Sequence, residues 1–194
     1  MNYDSLKEVV LKRLENDLSD KLYYHSVRHT RDVLHVCEIR AKELALSKEK
    51  RTLLFSAAVL HDAGFLNVFK EHEKEGVKIA QALLPEYGYN ESQIAQVAGM
   101  IMATKIPQQA QNQLERILCD ADLDYLGRDD FYLIGNTLFQ ELSELGMVST
   151  EEDWDALQIK FLSNHTYHTD ISIRDRQGEK LLRLKELKEK WKVG

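Results

Sequence analysis

Apolar positions recur along almost the whole chain at intervals of three and four residues, the period of an amphipathic helix. The spacing predicts helices over 4–18, 26–46, 49–63, 71–84, 91–104, 113–126, 129–145, 151–165 and 175–192. Residues at the boundaries agree with that division. Asn90 with Gln93, and Thr150 with Asp153, have the spacing of capping boxes, while Pro85, Gly127 and Gly146 follow expected helix ends. No stretch alternates with the period of a strand, and there is no internal repeat or low-complexity linker. The polar run "TKIPQQAQNQ" at 104–113 is the clearest loop, and the charged "GEKLLRLKELKEKWKVG" at the C-terminus reads as a solvated helix capping the rest. The expected class is all-α, one helical bundle over residues 1–194.

Composition narrows the partners more than the fold. The 194 residues are 43% hydrophobic and 30% charged, enough to bury a core without disulfides or zinc. The net charge of −6 offers no global basic field, so long nucleic acid and anionic membrane surfaces are not expected partners. Cys37 and Cys119 lack paired spacing and read as buried thiols in a reducing compartment. The N-terminal "MNYDSLKEVVLKRLEND" is an amphipathic helix rather than a signal peptide, and no apolar run approaches the roughly 18 residues of a membrane span. A cytoplasmic protein is expected. The sequence leaves the oligomeric state open, a homodimer included.

Four polar residues stand where the pattern asks for apolar ones. The segment "RTLLFSAAVLHDAGF" (51–65) has almost no polar face, yet it closes with His61-Asp62. A buried aspartate is costly unless paired, hydrogen-bonded or bound to a metal. In the preceding helix the apolar line Val33, Val36, Cys37, Leu44 leads back four residues from Val33 to His29 and four more to His25; His35 falls on a neighbouring face with Arg28 and Asp32. A short connection around Ser47 makes the two helices an antiparallel hairpin, which brings His29 and His61-Asp62 to one end. In "LERILCDADLDYLG" (114–127) the inward stripe is Leu114, Leu118, Ala121 and Tyr125. Asp122 lies on its shoulder, whereas Asp120 and Asp124 point away from its centre. His72 shares a face with Gly76, Ile79, Ala80 and Leu83, at the positive end of its helix. Two histidines and two carboxylates converging from three helices suit Mn, Fe, Co, Ni or Zn better than Mg. An HD dipeptide alone is weak in a chain with seven histidines, and a single inward His is more often a core residue; the coupled set is stronger.

The pattern His29 … His61-Asp62 … Asp122 resembles the HD superfamily of metal-dependent phosphohydrolases. The words "YHSVRHTRDVL", "AAVLHDAGF", "HEKEGVKIAQALLPEYGY" and "LCDADLDYLGR" resemble it too, over residues 24–128. The resemblance implies an all-α fold; the helices of 129–192 match it only in being helical and are expected to pack on the 24–128 core. It also implies His29, His61, Asp62 and Asp122 as metal ligands, and hydrolysis of a phosphomonoester, phosphodiester or nucleotide anhydride. Some relatives bind a second ion through an adjacent His-His pair; here the corresponding helix end reads "IMATK" (101–105), so one ion is expected, with His72 open to serving a second or touching substrate.

These assignments define an expected mechanism. Asp62 orients water and accepts its proton. His72, Arg28 and Lys105 are the candidates for holding phosphoryl oxygens, with His72 and Lys105 also candidates for catalysis. His165 and His168 are placed either at a pocket wall or, by a two-to-one preference, in packing at a helix end. Cys119 has no His partner and reads as a packing residue. The leading reading is a phosphohydrolase of a nucleotide or small phosphate ester, cyclic nucleotides among the expected substrates. The alternatives are a nucleoside triphosphate pyrophosphohydrolase and a non-catalytic nucleotide-binding HD module; oxygen chemistry at a di-iron centre is more remote.

Overall fold

The helical periodicity is realised along the whole computed structural model, which describes residues 1–193. Nine α-helices form among the described residues: α1 (Tyr3–Asp17), α2 (Val27–Glu43), α3 (Lys48–Leu60), α4 (His72–Leu83), α5 (Glu91–Ala103), α6 (Gln113–Asp122), α7 (Phe131–Glu144), α8 (Glu151–Asn164) and α9 (Asp170–Trp191). Short 3-10 turns follow α3, α4 and α6 at Ala63–Leu66, Leu84–Tyr87 and Asp124–Gly127, and no strand is present in the described chain. No helix among the described residues is long and apolar enough to cross a membrane.

The expected caps are made. Asn90 and Gln93, and Thr150 and Asp153, form reciprocal capping boxes. Gly146, at φ +67°, ends α7: its N–H reaches Ser143 and the next N–H reaches Leu142, the hydrogen-bond pair of a Schellman stop. Four boundaries differ from the sequence expectation. The helix expected over 26–46 stops at Glu43, so Leu44 is a half-exposed cap residue and the buried line runs through Ala41 instead. The helices expected to reach 63 and 126 tighten into 3-10 turns after Leu60 and Asp122. And α9 starts at Asp170, not 175, because the Thr169 hydroxyl accepts from the Ser172 N–H and opens the helix one turn earlier.

The chain divides into two compact units, Met1–Asp122 and Leu123 onward. In the first, α3 is the central element and contacts α1, α2, α5 and α6. Its Leu54, Ala57, Ala58, Val59 and Leu60 are fully buried, as an all-apolar helix must be. Each such Leu contributes about 1.5–3 kcal/mol by burial, so α3 is held rigidly up to its last residue. In the second unit α9 packs on α8 and on the 124–127 turn, with a small core of Leu142, Val148 and Trp154.

The turn after α3 lies directly on the start of α4. A Cβ on Gly64 would come 2.7 Å from the His72 carbonyl carbon and 2.8 Å from the Gly76 nitrogen, both backbone atoms that cannot step aside. Gly178, inside α9, has nothing within 4 Å of the same construction. Substituting the two glycines therefore has opposite consequences. Gly64→Ala will lower stability by about 2 kcal/mol or more through overpacking, whereas Gly178→Ala will raise it by about 0.5–1 kcal/mol through helix propensity. Urea unfolding of both variants checks the pair; equal effects would contradict the close approach.

Candidate metal centre

α2 and α3 form the expected hairpin, joined by residues 44–47 with Ser47 capping α3. His29, in the first turn of α2, thereby meets His61, the residue that ends α3: their Nε2 atoms are 3.3 Å apart. Asp122, the last residue of α6, places Oδ1 3.1 Å from His29 Nε2 and 3.6 Å from His61 Nε2. Asp62 Oδ2 lies 3.1 Å from His61 Nε2 and 3.5 Å from His29 Nε2. The side chains are nearly closed to solvent, His61 at 1%, His29 and Asp62 at 8% and Asp122 at 15% exposure.

Hydrogen bonding orients this cluster toward a cation. The His61 Nδ1 donates to the Ala58 carbonyl at 2.8 Å; a carbonyl only accepts, so Nδ1 carries the hydrogen and Nε2 of the neutral ring presents a lone pair inward. With the facing imidazoles neutral, the buried Asp62 Oδ2 has no hydrogen-bond donor. Ligand atoms thus face one another across 3.1–3.6 Å. Ligands about 2.1 Å from one ion stand about 3.0–3.4 Å apart between octahedral and tetrahedral geometry, so the spacing fits a single divalent ion. His29, His61 and Asp122 each offer a ligand atom within 4.8 Å of the others, and Asp62 adds the orphaned oxygen.

The same geometry governs the protons. Burial opposes a charged His61, yet Asp62 and Asp122 outweigh it and raise its pKa well above the ordinary value. Burial likewise works against ionised carboxylates, and the facing imidazoles overcome it. Asp62 falls well below the usual carboxylate range, chiefly through His61, and Asp122 falls to about 2 through its bonds to His29 and His61. A proton on His61 and a divalent ion are therefore alternative ways to balance the two carboxylates.

His72 is the first residue of α4, with its Nε2 3.6 Å from Asp62 Oδ1 and 3.6 Å from Glu73 Oε1. Burial is the main reason its pKa is lowered, against the opposing pull of Asp62 and Glu73. Its ring stacks on Phe65 at 3.9 Å, and the His25 ring lies 4.3 Å from the same Phe65. Sequence periodicity reached His25 but gave it no role, since it precedes α2 in a turn; Phe65 gave no signal beyond following His61-Asp62. Glu71, which precedes His72 with φ +59°, carries Lys105 at 2.5 Å and also pairs with Lys74. Lys105 is thus tied to the same end of α4 as His72. Arg28 is exposed beside His29.

The remaining candidates have partners of their own. His165 caps the C-terminus of α8, stacked with Phe161 and edge-on to Tyr167, and accepts from Lys180 through its carbonyl oxygen. Cys119 is buried, donates to the Ala103 carbonyl at 3.1 Å and has its pKa pushed up by burial, as a packing thiol does. Asp120 and Asp124, which point away from the α6 stripe, are nonetheless 2% and 1% exposed. Helical angle separated Asp122 from them correctly as the residue facing His29, but it did not foresee their burial. Asp124 is buried because Arg176 reaches it at 2.8 Å and Arg128 at 3.5 Å.

Because a ligating imidazole must be neutral, a metal entering this site displaces the His61 proton. Calorimetric Mn(II) titration at pH 7 in buffers of different ionisation enthalpy will show proton release, and apparent affinity will rise with pH until metal-free His61 has itself deprotonated. His61→Ala or Asp122→Ala will weaken binding by about a hundredfold or more. An affinity that does not change with pH would contradict the arrangement.

The comparisons with known proteins agree with this geometry. A family model described as the HD domain matches residues 26–124, a span that contains His29, His61, Asp62 and Asp122. No curated protein and no solved structure matches the chain. With half of its length in that match, the chain belongs to the HD superfamily of metal-dependent phosphohydrolases.

Proposed function

We propose that this HD protein hydrolyses a phosphoester of a nucleotide or a related small phosphorylated molecule, cyclic nucleotides included. The observation that carries the reading is the orphaned Asp62 oxygen among three further inward ligand atoms at the end of a rigid core helix. Two imidazoles and two carboxylates favour Mn, Fe, Co, Ni or Zn over Mg. When bound, such an ion supplies Lewis acidity and lowers the pKa of water from 15.7 to about 7.

The chain's own groups have separable roles. His29, His61 and Asp122 bind the ion. Asp62 directs Oδ2 to the ion site and Oδ1 toward His72, so it orients water beside the phosphorus and accepts its proton. His72, kept neutral near pH 7 by its lowered pKa, donates through a ring N–H to a phosphoryl or leaving-group oxygen. Lys105, anchored beside it through Glu71, and exposed Arg28 supply positive charge to the equatorial oxygens. The acidic chain supports a small-molecule substrate over a polyanionic polymer. The buried thiols of Cys37 and Cys119 support a reducing, cytoplasmic setting.

Product release from nucleotides, cyclic nucleotides and phosphomonoesters tests the reading, with Mn-loaded protein beside metal-free protein and Asp62→Ala. Turnover of at least one substrate is expected, with a loss of about a thousandfold or more in both controls. Release of pyrophosphate instead of orthophosphate or a monophosphate would assign the pyrophosphohydrolase reaction. Activity surviving in Asp62→Ala would remove Asp62 from the chemistry, and full metal loading with no turnover would favour a binding module.

A further inference from the structure

The second unit contains a cavity of about 510 Å³ between α7, α8 and α9, lined entirely by residues beyond 123 and independent of the metal centre. Its floor is closed by the buried Trp154, Asp155 and Leu187, and its rim is exposed at Tyr132, Glu151 and Glu186. Two properties set it apart from a packing defect. Three aromatic rings, Tyr132, Phe139 and Trp154, border one space, with Phe139 and Trp154 stacked at 5.9 Å. And the space is left open by a glycine in the interior of α7. A Cβ on Gly135 would meet only ordinary contacts, Gln158 Oε1 at 3.5 Å and the Trp154 ring at 3.8 Å. An alanine would fit there, favour the helix and narrow the cavity.

The charges around the cavity define the sign of what it accepts. Lys190 bonds both Glu151 and Asp155, at 2.7 and 2.5 Å, so one ammonium answers two carboxylates. Glu186 is shared by the Tyr132 hydroxyl and Arg183. The three carboxylates thus face two cations, and the surroundings stay negative. The chain already places cations on aromatic faces here: Arg183 sits 5.6 Å from the Tyr132 ring centre and Lys190 5.1 Å from that of Trp191. Aromatic faces with a negative surround hold ammonium groups through the ring quadrupole, most strongly where water is excluded, and the volume is that of a small-molecule site. We infer that this cavity is a binding site for a small organic cation of the alkylammonium class.

The protein carries its own reporter. Its two tryptophans, Trp154 and Trp191, are at this site, Trp154 in the floor and Trp191 donating to Asp155 at 2.8 Å. Tryptophan fluorescence of the full chain is therefore titrated with choline and with its neutral isostere 3,3-dimethyl-1-butanol. Choline is expected to give a saturable change, with affinity about tenfold above the isostere. Glu186→Gln, an exposed rim substitution that keeps the shape, will weaken choline several-fold and leave the isostere unchanged. Gly135→Leu will abolish both responses, and a helical circular dichroism spectrum like that of the parent shows that the fold persists. Asp62→Ala will leave the choline response intact. No saturable response to choline, equal affinity for the two probes, or a choline response untouched by both Glu186→Gln and Gly135→Leu would each overturn the assignment.

Discussion

The first unit is organised around one electrostatic constraint: the Asp62 carboxylate stands at the end of the most buried helix and lacks a permanent cation. An ionised carboxylate in such a place costs several kcal/mol unless charge of the opposite sign is near. Its neighbours are imidazoles, which balance it only while protonated, and a second carboxylate, Asp122, which adds to the deficit. The folded chain consequently selects between a proton and a divalent ion. The Ala58 carbonyl biases that choice, because fixing the His61 hydrogen on Nδ1 leaves Nε2 to the incoming ion. Rigidity comes from the end of α3, where Ser56 to Leu60 are buried all round and hold the pair in place.

Local backbone exceptions serve the same end. After Leu60 the helix gives way to a tighter turn, with Asp62 at φ −101° and ψ 4°, outside the helical range. That departure aims Oδ1 and Oδ2 at different partners, His72 and the ligand cluster. Gly64 then permits the turn to lie against the His72 backbone, and Glu71 adopts a left-handed conformation immediately before α4. Left-handed backbone at a residue with a side chain carries a modest conformational cost; here it coincides with the double ion pair to Lys74 and Lys105. The two basic residues are thereby gathered at the helix end that also presents His72.

Much of this was legible because helices carry angular information. His29 and Asp122 were separable from their neighbours by the 100° step, His61-Asp62 by closing a helix with almost no polar face, and the hairpin followed from a short connection. What the step cannot read is a turn. His25 and Phe65 pack beside His72 from segments outside the regular α-helices, and Glu71 joins Lys105 across 34 residues through backbone geometry that no periodicity encodes. Burial of charged residues was equally hidden. Asp124 lies off the apolar stripe of its segment yet is sealed in, because its partner Arg176 arrives from α9, far along the chain. An angular stripe predicts which face is apolar, not whether a distant arginine will cover the polar one.

The buried acids of the second unit show what the metal centre would look like if it were merely structural. Asp124 has Arg176 and Arg128; Asp155 accepts from Lys190, Trp191 and Gln158. Each is answered by cations that keep their charge at all physiological pH values, supplied by the chain itself. In the first unit, Glu115 is answered by the Gln111 N–H and the Asn112 amide. A chain able to neutralise or hydrogen-bond its buried carboxylates does so at these three positions. At Asp62 and Asp122 it supplies only titratable imidazoles. The contrast lies in the kind of partner rather than in burial, which is as deep at Asp124 as at His61. Permanent cations fasten an acid into the fold, whereas imidazoles hold it ready for an ion that arrives from outside.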